Sequence, residues 1–312
     1  MILCVTLNPL VDTSFFVDEI RPVYRTEVRR IAHVAGGKGN NVARALVGMG
    51  RPARVFTVLG GRTGQHLADL LEEDGADRVL AWLSGETRLS ITVVDRAYQQ
   101  RGYWAPPQAW QEADVATVRQ LFPKALEGVQ AMCMCGSSPG PLADPLYPEW
   151  LRAARQRGLP TLLDTYGPCL AEGLAAAPTV VKVNRAEAAA WLGRPLETRA
   201  EQVDALAALR QAGAQWAILT LGEQGALFAC PSGCWAGHPP QVAVVNPISS
   251  GDAMTAGIMA GLVEGSAPLD CFRLGMAAAV ANATSWEVCR LMRPEVEAML
   301  PRIDIVPIGE MI

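Results

Sequence analysis

Residues 54–75 read RVFTVLGGRTGQHLADLLEEDG and contain the unit from which this fold is built. The run opens on Arg54–Leu59, a short apolar segment typical of a buried strand. After two glycines, leucines recur at helical spacing and predict an amphipathic helix over residues 64–75. A strand that leads directly into a helix is the repeating unit of a parallel sheet with helical crossovers.

The same alternation continues along the chain. Further strands are predicted at Ile2–Leu7, Val129–Cys135, Pro160–Asp164, Thr179–Val183 and Trp216–Leu221. Helices are predicted at Asn40–Gly50, Pro145–Gly158, Arg185–Leu192, Glu201–Gly213, Gly251–Glu264 and Leu269–Thr284. This order predicts an α/β fold in which helices cover both faces of a mostly parallel sheet.

Two regions depart from this pattern. Asp12–Val34 and Arg88–Trp104 alternate apolar and polar residues with a period of two, and neither carries a helix signal. They predict a small antiparallel patch of strands that forms a lid over a site at the carboxyl ends of the parallel strands. We assign the lid to residues of about 12–34 and 77–105, inserted in a single domain of residues 1–312.

Composition narrows the class of protein and partner. Of 312 residues, 50% are apolar and 19% are charged, which is enough apolar material for a large core and argues against disorder. The formal charge of −4 without a Lys/Arg run argues against nucleic-acid binding, so small molecules or other subunits are the expected partners. The sequence shows neither a signal peptide nor an apolar run of about 18 residues, which predicts a cytoplasmic protein that does not span a membrane.

The cysteines give no strong metal signal. All eight are scattered and are expected to be reduced thiols. Cys230, Cys234 and His238 share a regular spacing, but a zinc site normally needs a fourth ligand. The segment is expected instead to form a hairpin with small apolar residues.

Four motifs carry candidate chemistry. Residues 35–41, AGGKGNN, lead into a helix whose N-terminus favours an anion, and Lys38 adds a charge suited to phosphate. The alternative is a tight turn that requires glycine, since neither a P-loop nor G-x-G-x-x-G is present. Residues 249–253, SSGDA, place Asp252 at a helix start, where it is either a cap or a base that accepts a hydroxyl proton.

The other two motifs lie further along the parallel strands. In residues 182–187, KVNRAE, Asn184 and Glu187 share a helix face and offer oxygen ligands that suit hydrated Mg²⁺. In isolation, a capped helix is the favoured interpretation of that motif. Residues 220–226, TLGEQGA, form either a turn on the nucleotide side or an ordinary hairpin connection.

Taken together, the order and spacing of the motifs resemble the PfkB (ribokinase-like) carbohydrate kinases over essentially the whole chain. The resemblance is greatest to the branch of 1-phosphofructokinase and tagatose-6-phosphate kinase. It rests on Thr6–Pro9 with Asp12, Gly36–Arg44, Thr87–Arg88, Gly136–Ser137, Asn184–Glu187, Thr220–Gly222 and Gly251–Asp252. The resemblance implies a three-layer α/β/α sandwich with a small antiparallel β lid, which often also forms a dimer interface.

The resemblance also implies roles for individual residues. Asp252 matches the catalytic base, and the backbone of Ser249, Ser250 and Gly251 matches the anion hole at the transferring phosphoryl group. Asp12 matches the residue that holds sugar hydroxyls, and the sugar-binding turn corresponds to Gly37, Lys38 and Asn41. Arg88 matches a position that grips the phosphate already on the substrate, and the residues expected to assist substrate binding are Arg25, Lys38 and Ser137.

On the nucleotide side, ATP and Mg²⁺ are the implied cofactors. Asn184 and Glu187 match the motif that organises Mg²⁺ through water, with Lys182 just before them. The nucleotide-side turn corresponds to Thr220, Gly222 and Gly225, and Asn282 falls near the adenine pocket.

The chain departs from the family pattern at the anion hole. The family usually has Gly-Ala-Gly-Asp where this chain has Ser249-Ser250-Gly251-Asp252, and Ser249 is strained if that position needs φ > 0. Pro247 also replaces a threonine and removes an N–H donor. The expected activity is ATP-dependent phosphorylation of a phosphorylated ketohexose. The alternatives are a kinase of an unphosphorylated sugar or nucleoside, and a sugar-phosphate-binding protein that has lost catalysis.

Overall fold

The computed structural model describes residues 1–21 and 25–308. The strands in these residues are β1 Ile2–Thr6, β2 Leu10–Phe16, β3 Arg30–Gly36, β4 Ala53–Leu59, β5 Asp77–Trp82, β6 Arg88–Val94, β7 Gln100–Trp104, β8 Ala131–Cys135, β9 Thr161–Asp164, β10 Val180–Asn184, β11 Trp216–Thr220, β12 Ala226–Cys230, β13 Gly233–His238 and β14 Asp304–Pro307. The α-helices are α1 Lys38–Gly48, α2 Gly61–Glu73, α3 Glu112–Ala125, α4 Leu146–Gln156, α5 Pro168–Leu174, α6 Arg185–Leu192, α7 Arg199–Gln211, α8 Ser250–Glu264, α9 Pro268–Ala283 and α10 Arg293–Met299. Short 3₁₀ helices lie at Gly222–Gln224 and Leu300–Arg302.

The large sheet has the strand order β14-β13-β12-β11-β10-β9-β8-β1-β4-β5. All pairings from β5 to β11 are parallel, and those from β11 to β14 are antiparallel. Successive residues of β1 face opposite cores: Ile2 and Cys4 belong to one, Leu3 and Val5 to the other. The predicted three-layer arrangement, with helices on both faces of a mostly parallel sheet, is therefore confirmed.

The antiparallel edge includes the segment with the spaced cysteines. Strands β12 and β13 pair as a hairpin, with Cys230 opposite Gly233 and Cys234 opposite Ala229. Both cysteines are buried. The hairpin predicted for this segment is confirmed, and its small side chains fill the core.

The small sheet has the order β3-β2-β6-β7. Its outer pairings are antiparallel, as predicted, and its central pairing, β2 with β6, is parallel. One boundary was wrong: residues 77–82, assigned to the lid, form β5 and pair with β4 at the edge of the large sheet. Residues 22–24, within the other predicted lid segment, lie outside the described residues.

The described helices include none that combines the length and the apolar character needed to span a lipid bilayer. The carboxyl ends of the parallel strands lie at one edge of the large sheet, and β2 starts only a few residues after β1 ends at that edge. The small sheet is thereby held next to the edge at which open α/β sheets bind ligands.

Candidate functional site

The turn before α1 brings the helix N-terminus directly onto β1. Gly37 has φ 114°, and a Cβ atom there would lie 2.6 Å from Cγ2 of Thr6. A Cβ at Gly39 would overlap both the Thr6 hydroxyl and the Val5 carbonyl oxygen. The glycines are needed because a backbone this close to another strand leaves no room for a side chain. Gly37 and Gly39 thereby determine the positions of Lys38 and Asn41, which lie on the first turn of α1.

A buried carboxylate, Asp164 at the end of β9, joins two lysines. Its Oδ1 lies 2.8 Å from Nζ of Lys38, and its Oδ2 lies 2.7 Å from Nζ of Lys182. Burial alone would raise the pKa of Asp164, but the two ammonium groups outweigh it and lower the pKa to about 2. Lys38 Nζ also lies 3.3 Å from Oε1 of Glu187. Burial disfavours its charge, yet these carboxylates and Asp252 hold its pKa above the ordinary value.

Asp252 lies in the first turn of α8 and is 5% exposed. Its Oδ2 accepts a hydrogen bond of 2.8 Å from Nδ2 of Asn41. Burial, aided by the neighbouring Asp164 carboxylate, raises the pKa of Asp252 to about 6, while Lys38 and the Asn41 hydrogen bond oppose that change. A carboxylate in this range can both take and release a proton near neutral pH, as a general base must.

The turn that precedes Asp252 contains a serine in the left-handed region. Ser249 has φ 61° and ψ 13°, so the strain expected for a non-glycine residue at this position is present. Its hydroxyl accepts from Nδ2 of Asn41 at 3.0 Å, and its carbonyl oxygen accepts from the N–H groups of Asp252 and Ala253. The Ser250 N–H donates to the Pro247 carbonyl oxygen at 3.3 Å.

Two further residues border this turn. A Cβ at Gly251 would lie 3.4 Å from Nζ of Lys182, so the lysine ammonium lies against the turn. Asn282 is 1% exposed and donates to the Ile248 carbonyl oxygen at 2.9 Å and to the Ser250 hydroxyl at 3.1 Å. Asn282 was expected near the adenine. In the structure its hydrogen bonds hold the turn on either side of Ser249.

The small sheet contributes a polar face. Asp12, Arg88 and Ser90 point to the same side of it, because they alternate along two strands paired in register. Ser90 Oγ donates to Asp12 Oδ1 at 2.6 Å, and burial raises the pKa of Asp12. Arg88 Nη2 donates to the Asn8 carbonyl oxygen at 3.2 Å, and the Asn8 amide in turn donates to Ser137 Oγ at 3.0 Å.

The Arg88 guanidinium has more hydrogen-bond donors than the described residues around it have acceptors. Its Nε is buried and has no hydrogen-bond partner among the described residues. Burial lowers the pKa of the guanidinium. A half-buried cation with an unmatched donor is suited to an anionic ligand that supplies the missing acceptor. Arg25 lies on an exposed stretch between β2 and β3.

Asn184 and Glu187 form a capping box at the start of α6. Asn184 Oδ1 accepts from the Glu187 N–H, and Glu187 Oε2 accepts from the Asn184 N–H, both at 2.9 Å. The capped helix is therefore present. It engages the single side-chain oxygen of Asn184 and Oε2 of Glu187, and it leaves Glu187 Oε1 near Lys38. The carboxylate of Glu187 and the amide oxygen of Asn184 are ligand types that fit a hydrated Mg²⁺ held through water.

The turn between β11 and β12 lies beside that capping box. Thr220 is the register partner of Asn184, so the two motifs predicted to lie on the nucleotide side meet at one edge of the sheet. Gly222 and Gly225 both have positive φ, 65° and 91°, and a Cβ at Gly225 would overlap the Gly237 carbonyl oxygen. These glycines are required by the turn itself.

Sequence reasoning missed Asp164 as a site residue. It entered only as the last residue of a predicted strand. The available signal was its place at the carboxyl end of that strand, adjacent to the strand that carries Lys182. Arg44, which donates to both Asn41 and Asp74, was likewise given no role, and neither was Asp74.

A pfkB family carbohydrate kinase profile matches residues 2–292. The chain belongs to this family. It is a carbohydrate kinase similar to 1-phosphofructokinases, as the motifs predicted. It is 29% identical over 308 residues to the 1-phosphofructokinase of Escherichia coli (strain K12), covering 97% of each chain.

Solved structures agree on the fold. The E. coli phosphofructokinase-2 crystallised in complex with substrates and products has a TM-score of 0.86 and 26% identity, covering 97% of this chain and 98% of that one. A possible 1-phosphofructokinase from Thermotoga maritima has a TM-score of 0.90 and 23% identity, covering 99% of this chain and 100% of that one. The kinase thus has the ribokinase-like fold that its sequence predicted.

Proposed function

We propose that this kinase transfers the γ-phosphoryl group of ATP to a hydroxyl of a phosphorylated ketohexose, with Asp252 as the general base. The candidate acceptors are fructose 1-phosphate, fructose 6-phosphate and tagatose 6-phosphate. The observation that carries the substrate class is Arg88, a half-buried cation whose Nε has no acceptor among the described residues. A phosphate supplies that acceptor together with the negative charge that matches the guanidinium, whereas a neutral sugar supplies no charge.

The proposed mechanism depends on positioning and charge. Asp12 holds a sugar hydroxyl and Arg88 the existing phosphate, so that the acceptor hydroxyl lies next to Asp252. With a pKa raised to about 6, Asp252 is ionised at neutral pH and takes the hydroxyl proton. Lys182, against the Gly251 turn, stabilises charge that develops on the transferring phosphoryl group.

Asn184 and Glu187 would hold Mg²⁺ through water, and the ion when bound would neutralise phosphate charge. Thr220, Gly222 and Gly225 would line the nucleotide side. Lys38 would link the two halves of the site, since its ammonium lies between Asp164 and Glu187. The small sheet would act as a lid that closes over the sugar and excludes water.

A coupled assay of ATP turnover with the three sugar phosphates, and with fructose, ribose and adenosine, tests the proposal. We expect turnover with at least one phosphorylated ketohexose and little with the neutral compounds. Arg88→Gln should raise KM for the sugar phosphate roughly 30-fold through loss of a charge-assisted contact. Arg96→Gln is the matched control, because this exposed arginine lies in the turn between β6 and β7 and its side chain pairs only with Asp18 among the described residues.

A second candidate, a sugar-phosphate-binding homologue with weakened catalysis, is favoured by the left-handed Ser249 in the anion-hole turn. Absence of turnover together with sugar-phosphate binding by calorimetry would support it over an active kinase. Preferred turnover of a neutral sugar or nucleoside would overturn the substrate class.

We further propose that the kinase forms a homodimer through the small sheet. The face opposite to Asp12 exposes Ile31, Leu89 and Tyr103, which are 53%, 42% and 56% exposed. Large apolar side chains exposed together on one face of a sheet are suited to a contact between subunits. Sedimentation velocity should show a dimer that Leu89→Asp dissociates, and a monomeric wild type would refute this assignment.

A further inference from the structure

Arg44 is a buried arginine on α1 whose guanidinium connects separate parts of the chain. Its side chain is 3% exposed, and that of the opposing Asp74 is 4% exposed. Nε donates to both Asp74 oxygens at 2.9 Å, and Nη2 donates to the Ala35 carbonyl oxygen at 2.6 Å. Nη1 donates at 2.9 Å to Oδ1 of Asn41, the residue that is bonded to Asp252.

This contact decides how the Asn41 amide is oriented. Arginine donates hydrogen bonds and cannot accept them, so the Asn41 oxygen must face Arg44. The amide NH₂ group is thereby directed to Asp252 Oδ2 and Ser249 Oγ, at 2.8 and 3.0 Å. The opposite orientation would set the NH₂ against the guanidinium and the oxygen against the carboxylate, and both contacts would be repulsive.

We propose that Arg44 and Asp74 are positioning residues for phosphoryl transfer. Asp74 orients the guanidinium, Arg44 orients the Asn41 amide, and Asn41 holds one oxygen of Asp252. In the described part of the chain, no hydrogen bond reaches the other oxygen, Oδ1, which is therefore left for the acceptor hydroxyl. This inference rests on the proposed role of Asp252 as the general base.

A purely structural ion pair would join α1 to the end of α2 and affect only stability. The positioning role also affects the ionisation of Asp252, because a donated hydrogen bond favours the charged carboxylate. The groups that face Asp252 are Lys38 and Asn41 of α1, Cys135 of β8, Asp164 of β9, Lys182 of β10, and Cys289 after α9. The Arg44→Lys change substitutes none of these groups. It removes the guanidinium whose Nη1 orients the Asn41 amide.

The test is the pH dependence of kcat for the full-length Arg44→Lys kinase, measured with a sugar phosphate that the wild type turns over. Lysine keeps the charge but cannot reach Asp74 and Asn41 with a planar fork. We expect the acidic limb of the profile to move up by about one pH unit, and the plateau of kcat above it to fall about tenfold because the base is misoriented. KM for ATP should change less than about twofold, since the nucleotide side is untouched.

Arg54→Lys is the matched control. Arg54 also donates through its fork, to Asp77 at 2.6 Å and to the Glu127 carbonyl oxygen at 2.7 Å, near the edge of the large sheet. Its substitution should lower stability without moving the acidic limb. An unchanged limb in Arg44→Lys, or the same shift in Arg54→Lys, would overturn the positioning role.

Asn41→Asp keeps the inference testable if Arg44→Lys does not fold. The new carboxylate still pairs with Arg44, cannot donate to Asp252 and places a second negative charge beside it, so the acidic limb should again move to higher pH. An unmoved limb would overturn the proposal. Asp252→Asn separates the two hypotheses: near-normal turnover refutes the base itself, whereas an inactive Asp252→Asn with an unmoved limb in Asn41→Asp refutes the positioning role alone.

Discussion

The turns that open α1 and α8 both have a residue with positive φ, and they reach this conformation by different means. At Gly37, φ is 114° and a Cβ would collide with Thr6. At Ser249, φ is 61° in a residue that has a Cβ. The first turn requires glycine for steric reasons, whereas the second keeps a strained serine in place by hydrogen bonds.

The bonds that hold Ser249 come from distant parts of the sequence. Its hydroxyl accepts from Asn41 at 3.0 Å, and the Cys289 thiol donates to its carbonyl oxygen at 3.5 Å. Asn282 supports the two neighbouring residues. A turn fixed by packing depends on one residue type, whereas a turn fixed by hydrogen bonds depends on several partners. The first turn positions Asn41, which donates to Asp252, and the second leads directly into Asp252.

The largest effect is expected from Asp252→Asn, which removes the carboxylate that Asn41 of α1 contacts and that the Ser249 turn precedes. Turnover should fall at least about 10²-fold, the lower range for loss of a general base, while sugar-phosphate binding persists. Steady-state kinetics and calorimetry check this. Asp114→Asn is the control, because Asp114 is a similarly buried carboxylate that is bonded to Ser84 and the Gln111 N–H. Its loss should affect stability alone.

Gly37→Ala breaks the sterically fixed turn. The added methyl group meets Thr6 at a backbone conformation that alanine rarely adopts, so the free energy of unfolding should fall by roughly 2–3 kcal/mol. Turnover should fall about tenfold because Lys38 and Asn41 move with the turn. Chemical denaturation and kinetics measure both effects.

Gly50→Ala is the comparison for that change. Gly50 has φ 75°, and a Cβ at this position would have no neighbouring atom within 4 Å, so only the conformational cost of about 1 kcal/mol applies. Equal losses in the two variants would show that close contact with Thr6 does not fix the first turn.

The smallest effect is expected from Ser249→Gly. Glycine relieves the positive φ but loses the hydrogen bond with Asn41, and each contributes about 1 kcal/mol with opposite sign. The free energy of unfolding should therefore stay within about 1 kcal/mol of wild type. Ser249→Ala keeps the strain and loses the bond, so it should be the less stable variant by thermal denaturation. The reverse order would contradict the strain assigned to Ser249, and a Ser249→Ala variant as stable as the wild type would contradict a turn held by hydrogen bonds.

The fold was largely predictable because its signals are local. The strand Arg54–Leu59 and the helix after it are visible as periodicities, and they appear as β4 and α2. The assignment of residues 77–82 failed because sheet membership depends on a partner strand, here β4, that no local pattern identifies. The parallel pairing of β2 with β6 is non-local for the same reason.

The candidate site was predictable where a motif marks it, as at Lys38, Asn184 and Asp252. Asp164 carries no such mark, although it binds two lysines from different strands and helices. Asn282 was named only through the family resemblance, and its bonds to the Ile248 carbonyl oxygen and the Cys289 N–H are visible only in three dimensions. Side chains that act through other side chains are hidden from a sequence pattern.

The pH dependence of kcat, measured for the wild type and for the residual activity of Asp252→Asn, tests the central claim most directly. Asp252 accepts a proton only when ionised, and burial raises its pKa to about 6. Activity should therefore be full above that pH and fall about tenfold per unit below it. The limb should be missing in Asp252→Asn. A wild-type kcat that stays constant down to pH 5, or the same limb in the variant, would contradict the assignment of Asp252 as the base.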